Sequence, residues 1–401
     1  MSESVEEMFE RALEAILARV LASAGPQDAQ ALAVAYSGGL DSTVLLHLVH
    51  AFAARRGLRL FAFHVDHGLS PNARDWAEHC ALQCARLGIG FDSRSLALAV
   101  GRNIEQEARH ARYAALGALC RQHSVVLLLT AHHQDDQAET VLLQLLRGAG
   151  VAGLSGMEAA GPAPELLGDG ATWIGRPLLG LTRLQLQQWA EQCELAWIED
   201  ESNRDARYTR NHLRQQITPR IGQAFPGYQA RIARAAHHAA EAQAVLTDMA
   251  ALDMQQCADG EGLDLDALRG LSEARLNNLL RYWFARHGLR MPTTAWLAQL
   301  RVQAFAAADD ARVRITHPDC EVWRYRKRLM LVERIDERVL DALPQTLHWD
   351  GQGSIHVPAF GGWLEFTMQG EGVDAGWLRG QTLTIRHRSG GERLKPARNR
   401  P

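Results

Sequence analysis

The sequence predicts an α/β fold: a parallel sheet covered by helices, followed by a mostly helical second domain and the beginning of a small C-terminal domain. Three observations carry this reading. Strand-length apolar runs alternate with helix-period segments through the first half of the chain. A double-glycine turn, Ser37-Gly38-Gly39, separates the first of those strands from the helix after it. From about Pro226 the alternation gives way to Ala-rich helical sequence. A length of 401 residues exceeds one ordinary core, and the expected domains are 1–225, 226–340 and 341–401.

In order, an amphipathic helix over about Glu6 to Ala22 opens the chain. Ala31 to Tyr36 reads as a buried strand, and Ser42 to about Arg55 as the helix beyond the glycine turn. Leu60 to Val65 is a strand and Asn72 to Leu87 a helix; Arg109 to Gln122 is helical, Val125 to Thr130 a strand, and Gln134 to Arg147 a helix. Gln229 to Met249 and Leu263 to His287 are expected to be helical. Val313 to Ile315 and Leu329 to Val332 read as strands around a basic segment, and a loose stretch, Asp341 to Gly370, leads to a last strand at Thr382 to Arg388.

Composition narrows the classes. The longest apolar runs, such as Ser124 to Thr130, fall far short of the roughly 20 residues a membrane helix needs. Glu3, Glu6, Glu7 and Glu10 make the N-terminus acidic, against a signal or transit peptide, so a cytoplasmic protein without membrane association is expected. Six scattered cysteines without a Cys-x-x-Cys read as reduced thiols. The net charge of −3 conceals arginine clusters, among them Arg204, Arg207, Arg210 and Arg214, opposed only by Asp205. Such clusters are either solvated faces or sites for a polyanion.

Two motifs stand where a parallel sheet binds ligands, beyond the carboxyl ends of strands. In Ser37-Gly38-Gly39-Leu40-Asp41-Ser42, glycines allow close backbone approach to a phosphate and the following helix presents its positive end. The serines add donors, and Asp41 can hold Mg²⁺; the Lys-Ser/Thr ending of a Walker A loop is absent. The bland alternative is an ordinary strand–turn–helix junction with Asp41 as a cap. The second motif runs from Thr130 to Thr140, His-His-Gln-Asp-Asp-Gln-Ala-Glu at its centre, with Asp136 and Glu139 three apart on one helical face. Acids there can simply complement the helix dipole, but two histidines and three carboxylates exceed that need. Arg109 and Arg112, also three apart, can share a face or serve only as surface ion pairs. Gly148-Ala149-Gly150-Val151-Ala152-Gly153 has dinucleotide-loop spacing but follows a helix, so helix termination is the better account.

The hexapeptide resembles the pyrophosphate (PP) loop of the ATP pyrophosphatases, whose fold is adenine nucleotide alpha hydrolase-like. With it, His64-Val65-Asp66-His67-Gly68-Leu69, the His-His-Gln-Asp-Asp stretch, Arg147 to Leu154, Arg176-Pro177-Leu178 and Glu199-Asp200 to Arg214 resemble the tRNA(Ile)-lysidine synthetase family, in that order over about Leu32 to Ile221. Pro226 to Val332 is similar to that family's second domain only weakly, and Thr382 to Leu394 to the opening of its third, which the resemblance implies is incomplete at Pro401.

The resemblance implies a ligase that uses ATP and Mg²⁺ to adenylate the wobble cytidine of a tRNA with a CAU anticodon. Free L-lysine then displaces AMP. Ser37, Gly38, Gly39, Leu40, Asp41 and Ser42 would hold the phosphates, with Asp41 and Glu139 at the metal. Asp136 and Glu139 match acids near lysine, and Arg112 and His132 match residues of the reacting centre. Arg112 is the expected α-phosphate clamp and His132 the expected proton acceptor. Arg204, Arg207, Arg210 and Arg214 are expected to contact the tRNA backbone. Competing readings are a tRNA thiolase of the same superfamily, an amide-forming synthetase such as NAD synthetase, and a nucleotide-binding regulator without chemistry.

Overall fold

The computed structural model describes residues 3–24, 31–66, 72–96, 104–168, 170–199, 209–306, 313–325, 327–334, 343–367 and 373–386. Contacts divide the chain into two compact units, Met1–Val245 and Leu246–Pro401.

The first unit is built on a six-stranded sheet of order β3-β2-β1-β4-β6-β5: β1 Ala31–Ala35, β2 Arg59–Asp66, β3 Gly90–Ser95, β4 Leu127–Leu129, β5 Ala160–Pro162 and β6 Trp173–Gly175. Every pairing is parallel except the edge strand β5 on β6. β1 and β4 are apolar throughout and almost wholly buried, as expected for central parallel strands with both faces covered. Helices α1 (Val5–Ala24), α2 (Leu40–Arg56), α3 (Ala73–Leu87), α4 (Ile104–Gln122), α5 (Gln134–Leu146), the short α6 (Val151–Leu154) and α7 (Pro164–Leu167), and α8 (Arg183–Gln192) complete the layer. Phe9, Leu13, Leu32, Val34, Leu45, Phe52 and Leu127 pack one face, and Ala33, Phe63, Tyr113, Leu119 and Leu128 the other. Gly148, at φ +73°, follows the last turn of α5, so the glycine run there does terminate a helix. Among the described residues no helix is long and apolar enough to cross a membrane.

The chain leaves β1 for β2 on one side of the sheet and places β4 on the other. A crevice therefore opens beyond the carboxyl ends of β1 and β4, and both chemistry-bearing motifs lie there. Past α8, a helical stretch runs through α9 (Thr209–His212), a π-helical turn at Leu213–Ile217 and α10 (Thr218–Ala224) into α11 (Tyr228–Cys257).

The second unit differs from the helical expectation over Leu263 to His287. Strands β7 (Ala258–Asp259) and β8 (Gly262–Asp264) come first, then α12 (Leu265–Arg269) and α13 (Glu273–Arg286). Asp264 and Ser272 start the two helices separately, accepting hydrogen bonds from Ala267 N and Arg275 N. With β9 (Val313–Thr316), β10 (Cys320–Tyr325) and β11 (Arg328–Glu333) the strands form a sheet of order β7-β8-β11-β10-β9. Leu279, Trp283, Phe284 and Leu297, the last from α14 (Thr294–Ala306), pack with Ile315 and Val322. The stretch read as loose holds β12 (Gln345–His348), paired with β15 (Thr382–Ile385), and a hairpin of β13 (Ser354–Val357) with β14 (Gly362–Glu365).

Candidate active site

The loop between β1 and α2 is shaped by its serines and glycines. Ser37 Oγ and Ser42 Oγ share a hydrogen bond of 3.0 Å, Ser42 Oγ donates to Gly39 O at 3.0 Å, and Thr43 Oγ1 donates to Gly38 O at 3.3 Å. Gly38 has φ +83°, and a Cβ there would stand 2.9 Å from both Cys80 Sγ and Ile198 Cδ1. The Ile198 N–H donates to Gly38 O at 2.8 Å, forming with Gly39 a one-residue parallel bridge that seats the chain beyond α8 on the loop. Gly39 caps α2 without a side chain, so no side-chain acceptor competes for the N–H groups of the first turn. That is the arrangement an anion uses.

Asp41, in that first turn, has its Oδ2 3.7 Å from His133 Nε2 and its Oδ1 3.9 Å from Arg183 Nε. Oδ1 is buried and accepts no hydrogen bond. A hard carboxylate oxygen left over beside a phosphate-ready helix terminus fits a divalent cation. Among the described residues no group of three or more His, Cys, Asp or Glu side chains is arranged to hold a metal ion by itself. An ion at Asp41 would thus take most of its ligands from phosphate and water, as Mg²⁺ ordinarily does.

Across the crevice, Thr130 N–H donates to Gly175 O at 2.9 Å and ends β4 beside β6. Thr130 Oγ1 hydrogen-bonds His132 Nδ1 at 2.9 Å. Burial, with help from Arg176, Arg210 and Arg109, pushes His132 down to about 3 against the pull of Asp136, so the ring is neutral at pH 7. His133, next in the chain, has the opposite character. Its Nε2 stands 3.3 Å from Asp136 Oδ2, and its Nδ1 stands 3.6 Å from Asp135 Oδ2. Burial alone would lower it, but Asp135, Asp41 and Asp136 outweigh burial and raise it to about 10. A buried imidazolium therefore joins the PP-loop acid to the acids of α5.

Asp135 is held by Arg183 N–H at 2.9 Å and Gln229 Nε2 at 3.1 Å, and its pKa is lowered because these bonds and His133 overcome burial. Asp136 is lowered in the same way, burial being outweighed by His133, Arg210, His132 and Arg214. Glu139 is buried, and both of its oxygens are engaged: Oε2 by Arg210 Nε at 2.9 Å, and Oε1 by Arg214 Nε at 2.7 Å. Arg210 Nη2 and Arg214 Nη2 also reach Asp136 Oδ1, at 3.0 and 2.9 Å. The π-helical turn at Leu213–Ile217 begins between them, a distortion frequent at functional sites.

The structure thus brings Asp41, His132, Asp136, Glu139, Arg210 and Arg214 into one region of the first unit. Arg210 and Arg214 are turned onto Asp136 and Glu139 as carboxylate partners. Arg204 and Arg207 lie outside the described residues, as do His67, Gly68 and Leu69. Arg112 stands on α4 with its Cζ 5.4 Å from the centre of the Tyr113 ring, and burial lowers its pKa. His133 and Arg183 escaped the sequence reading. The signal for His133 was its place directly before the N-terminal acids of a helix, but two adjacent histidines do not reveal which one faces them.

A strand–glycine loop–helix junction facing a carboxylate-rich strand end, on this strand order, defines the chain as a PP-loop protein. The family model described as "PP-loop domain" matches residues 5–221, and that described as "TilS substrate binding domain" matches residues 263–330. The tRNA(Ile)-lysidine synthase of Alkalilimnicola ehrlichii is 42% identical over 386 residues, covering 95% of this chain and 83% of its own. That of Burkholderia pseudomallei is 39% identical over 416 residues, with the same 95% and 83% coverage. That of Coxiella burnetii is 38% identical over 367 residues, covering 91% and 79%. The chain belongs to the tRNA(Ile)-lysidine synthase family, whose members are PP-loop ligases.

Proposed function

We propose that this chain forms lysidine on a tRNA with a CAU anticodon, using ATP and free L-lysine. The cytosine C2 oxygen would attack the ATP α-phosphorus and release pyrophosphate. The lysine ε-amine would then add at C2, the C2–O bond break, and AMP leave with that oxygen. Conjugation makes C2 a poor electrophile, and adenylation converts its oxygen into a good leaving group.

The observation that carries this reading is the His133 bridge, which couples Asp41 of the PP loop to Asp136 across the crevice. One constellation can then serve both half-reactions. Ser37, Gly38, Gly39, Leu40 and Ser42 would bind the β- and γ-phosphates through backbone N–H and hydroxyl groups. Asp41 would hold Mg²⁺, which supplies charge neutralisation at the phosphates when bound. Arg112 would stabilise charge at the α-phosphate. Asp136 and Glu139 would position the lysine ammonium, exchanging part of their pairing with Arg210 and Arg214 for it. The ammonium has a pKa of about 10.4 and must lose a proton before attack. His132 is neutral at pH 7 and is available as an acceptor, its basicity rising as anionic phosphates approach.

A thiolase reading lacks support. Among the described cysteines Cys80, Cys84, Cys120, Cys257 and Cys320 are buried, and burial pushes the Cys80 and Cys84 thiols up to about 12. The test is mass spectrometry of a CAU-anticodon tRNA after incubation with ATP, Mg²⁺ and labelled lysine. The expected result is one labelled cytidine and AMP release that depends on tRNA. Equal AMP release without tRNA, or an unlabelled tRNA, would sink the proposal.

A further inference from the structure

Among the described residues, the first unit gathers three guanidiniums that no carboxylate claims. Arg109 and Arg112 lie one turn apart on α4, with Cζ atoms 5.0 and 5.4 Å from the centroid of the Tyr113 ring. Arg176 directly follows β6. Its backbone N–H donates to Ala159 O and its Nη1 to Glu158 O, each at 2.8 Å, while its Nε is buried without a hydrogen-bond partner. The β4–β6 register pairs Leu129 with Gly175, so Arg176 emerges beside Thr130, two residues before His132. Among the described residues none of the three is ion-paired with a carboxylate, in contrast to Arg210 and Arg214. Glu158 acts on Arg176 only at longer range, and Arg109 repels it.

Like charges held together away from bulk water, without counter-ions, cost free energy. Such a set becomes favourable when an anion completes it through charge-assisted hydrogen bonds. A lone carboxylate carries one charge and engages one guanidinium in bidentate fashion; three guanidiniums suit the charge and the oxygens of a phosphate. We propose that Arg109 and Arg176 join Arg112 in a phosphate subsite separate from the PP loop, at the carboxyl ends of β4 and β6. It rests on the proposed reaction only for the source of the phosphate, which is either the α-phosphate of the nucleotide or a phosphodiester of the tRNA. In both cases the Tyr113 ring is the platform that orients two of the guanidiniums.

The test uses the full chain and its Arg109→Ala, Arg176→Ala and Arg176→Lys variants, with thermal melting as the folding control. AMP and inorganic pyrophosphate are titrated without tRNA, and tRNA binding is then measured over a salt series. A nucleotide source predicts AMP binding weakened about tenfold or more in both alanine variants, with pyrophosphate binding and the tRNA salt slope retained. A tRNA source predicts unchanged AMP binding and a slope of log K against log salt reduced by roughly 0.7 to 0.9 per arginine. Arg176→Lys should recover part of either loss, because it keeps the charge but not the fork. Arg109→Ala, at a half-buried helix position outside the sheet, keeps the test open should Arg176→Ala fail to fold. Folded variants with parental AMP affinity, tRNA affinity and salt slope would overturn the subsite. So would a loss shared equally by pyrophosphate. A chain that makes no lysidine yet shows these selective losses would refute the proposed reaction and keep the subsite.

Discussion

Asp41 has one carboxylate oxygen near His133 and another that is buried, accepts no hydrogen bond and has only the Arg183 guanidinium at 3.9 Å, which leaves it free to take a closer cation. Asp41→Ala should therefore leave melting near that of the parent while reducing tRNA-dependent AMP release by about 10²-fold or more. Parental AMP production by a folded variant would remove Asp41 from the mechanism. His133 makes a separate prediction about pH. Its folded pKa is raised to about 10, against roughly 6.5 in an unfolded chain. The imidazolium's stabilisation is thus complete below about pH 6.5 and is lost as pH rises through about 10. Melting of the parent and of His133→Gln in EDTA should differ most at pH 6 and converge toward pH 10. A gap that stays constant over that range would mean His133 is not charged in the fold. The Asp41 loop was legible in the sequence because glycine, serine and acid lie within six consecutive residues. The His133 hub was not, since its three acid partners come from two elements that only the sheet order brings together.

Elements show the same contrast between local and distant information. Long helices and central strands carry their own periodicity, and α2, α5, β1 and β2 fall within a few residues of expectation. β3 is polar, Gly-Phe-Asp-Ser-Arg-Ser, because it is an edge strand, and β5 and β6 span three residues each; neither leaves an apolar pattern to detect. The partners of α5 were equally hidden, because Arg210 and Arg214 stand 71 and 75 residues from Glu139. Two predictions belong to this scale. Gly38→Ala forces a side chain into the positive-φ region against Cys80 and Ile198, and should cost about 1–3 kcal/mol with weaker ATP binding. Normal melting and ATP affinity would mean the loop relaxes freely. A double-mutant cycle of Glu139→Gln with Arg214→Gln should give a coupling of about 1–3 kcal/mol, since the buried carboxylate accepts two bonds from that guanidinium. Additive losses would show that Arg214 acts elsewhere.

On the whole molecule, a net charge of −3 must coexist with binding a polyanion, so tRNA affinity has to come from local arginine density. Arg204, Arg207, Arg210 and Arg214 were expected to share that task, but the fold commits Arg210 and Arg214 to Asp136 and Glu139. Guanidiniums neutralised by carboxylates release few counterions when a phosphate approaches. Phosphate contacts by solvated arginines release roughly 0.7 to 0.9 counterions each, which appears directly in the slope of log K against log salt. Replacing Arg204 and Arg207 together by Gln should therefore flatten the slope by about 1.4 to 1.8, with melting and ATP affinity retained. Replacing Arg210 and Arg214 together should act differently: little change in slope, but a lower melting temperature and loss of lysine use, because Glu139 would be left buried without a counter-charge and Asp136 with His133 alone. Lysine dependence of AMP turnover, measured with Asp136→Asn alongside, separates the two effects. If Asp136 holds the amino acid, that variant should raise the lysine concentration needed about tenfold or more while tRNA affinity holds. Equal slopes for both arginine pairs would mean that all four meet the tRNA backbone and that the carboxylate pairing gives way on binding. An unchanged slope for Arg204 and Arg207 would return them to an ordinary solvated face.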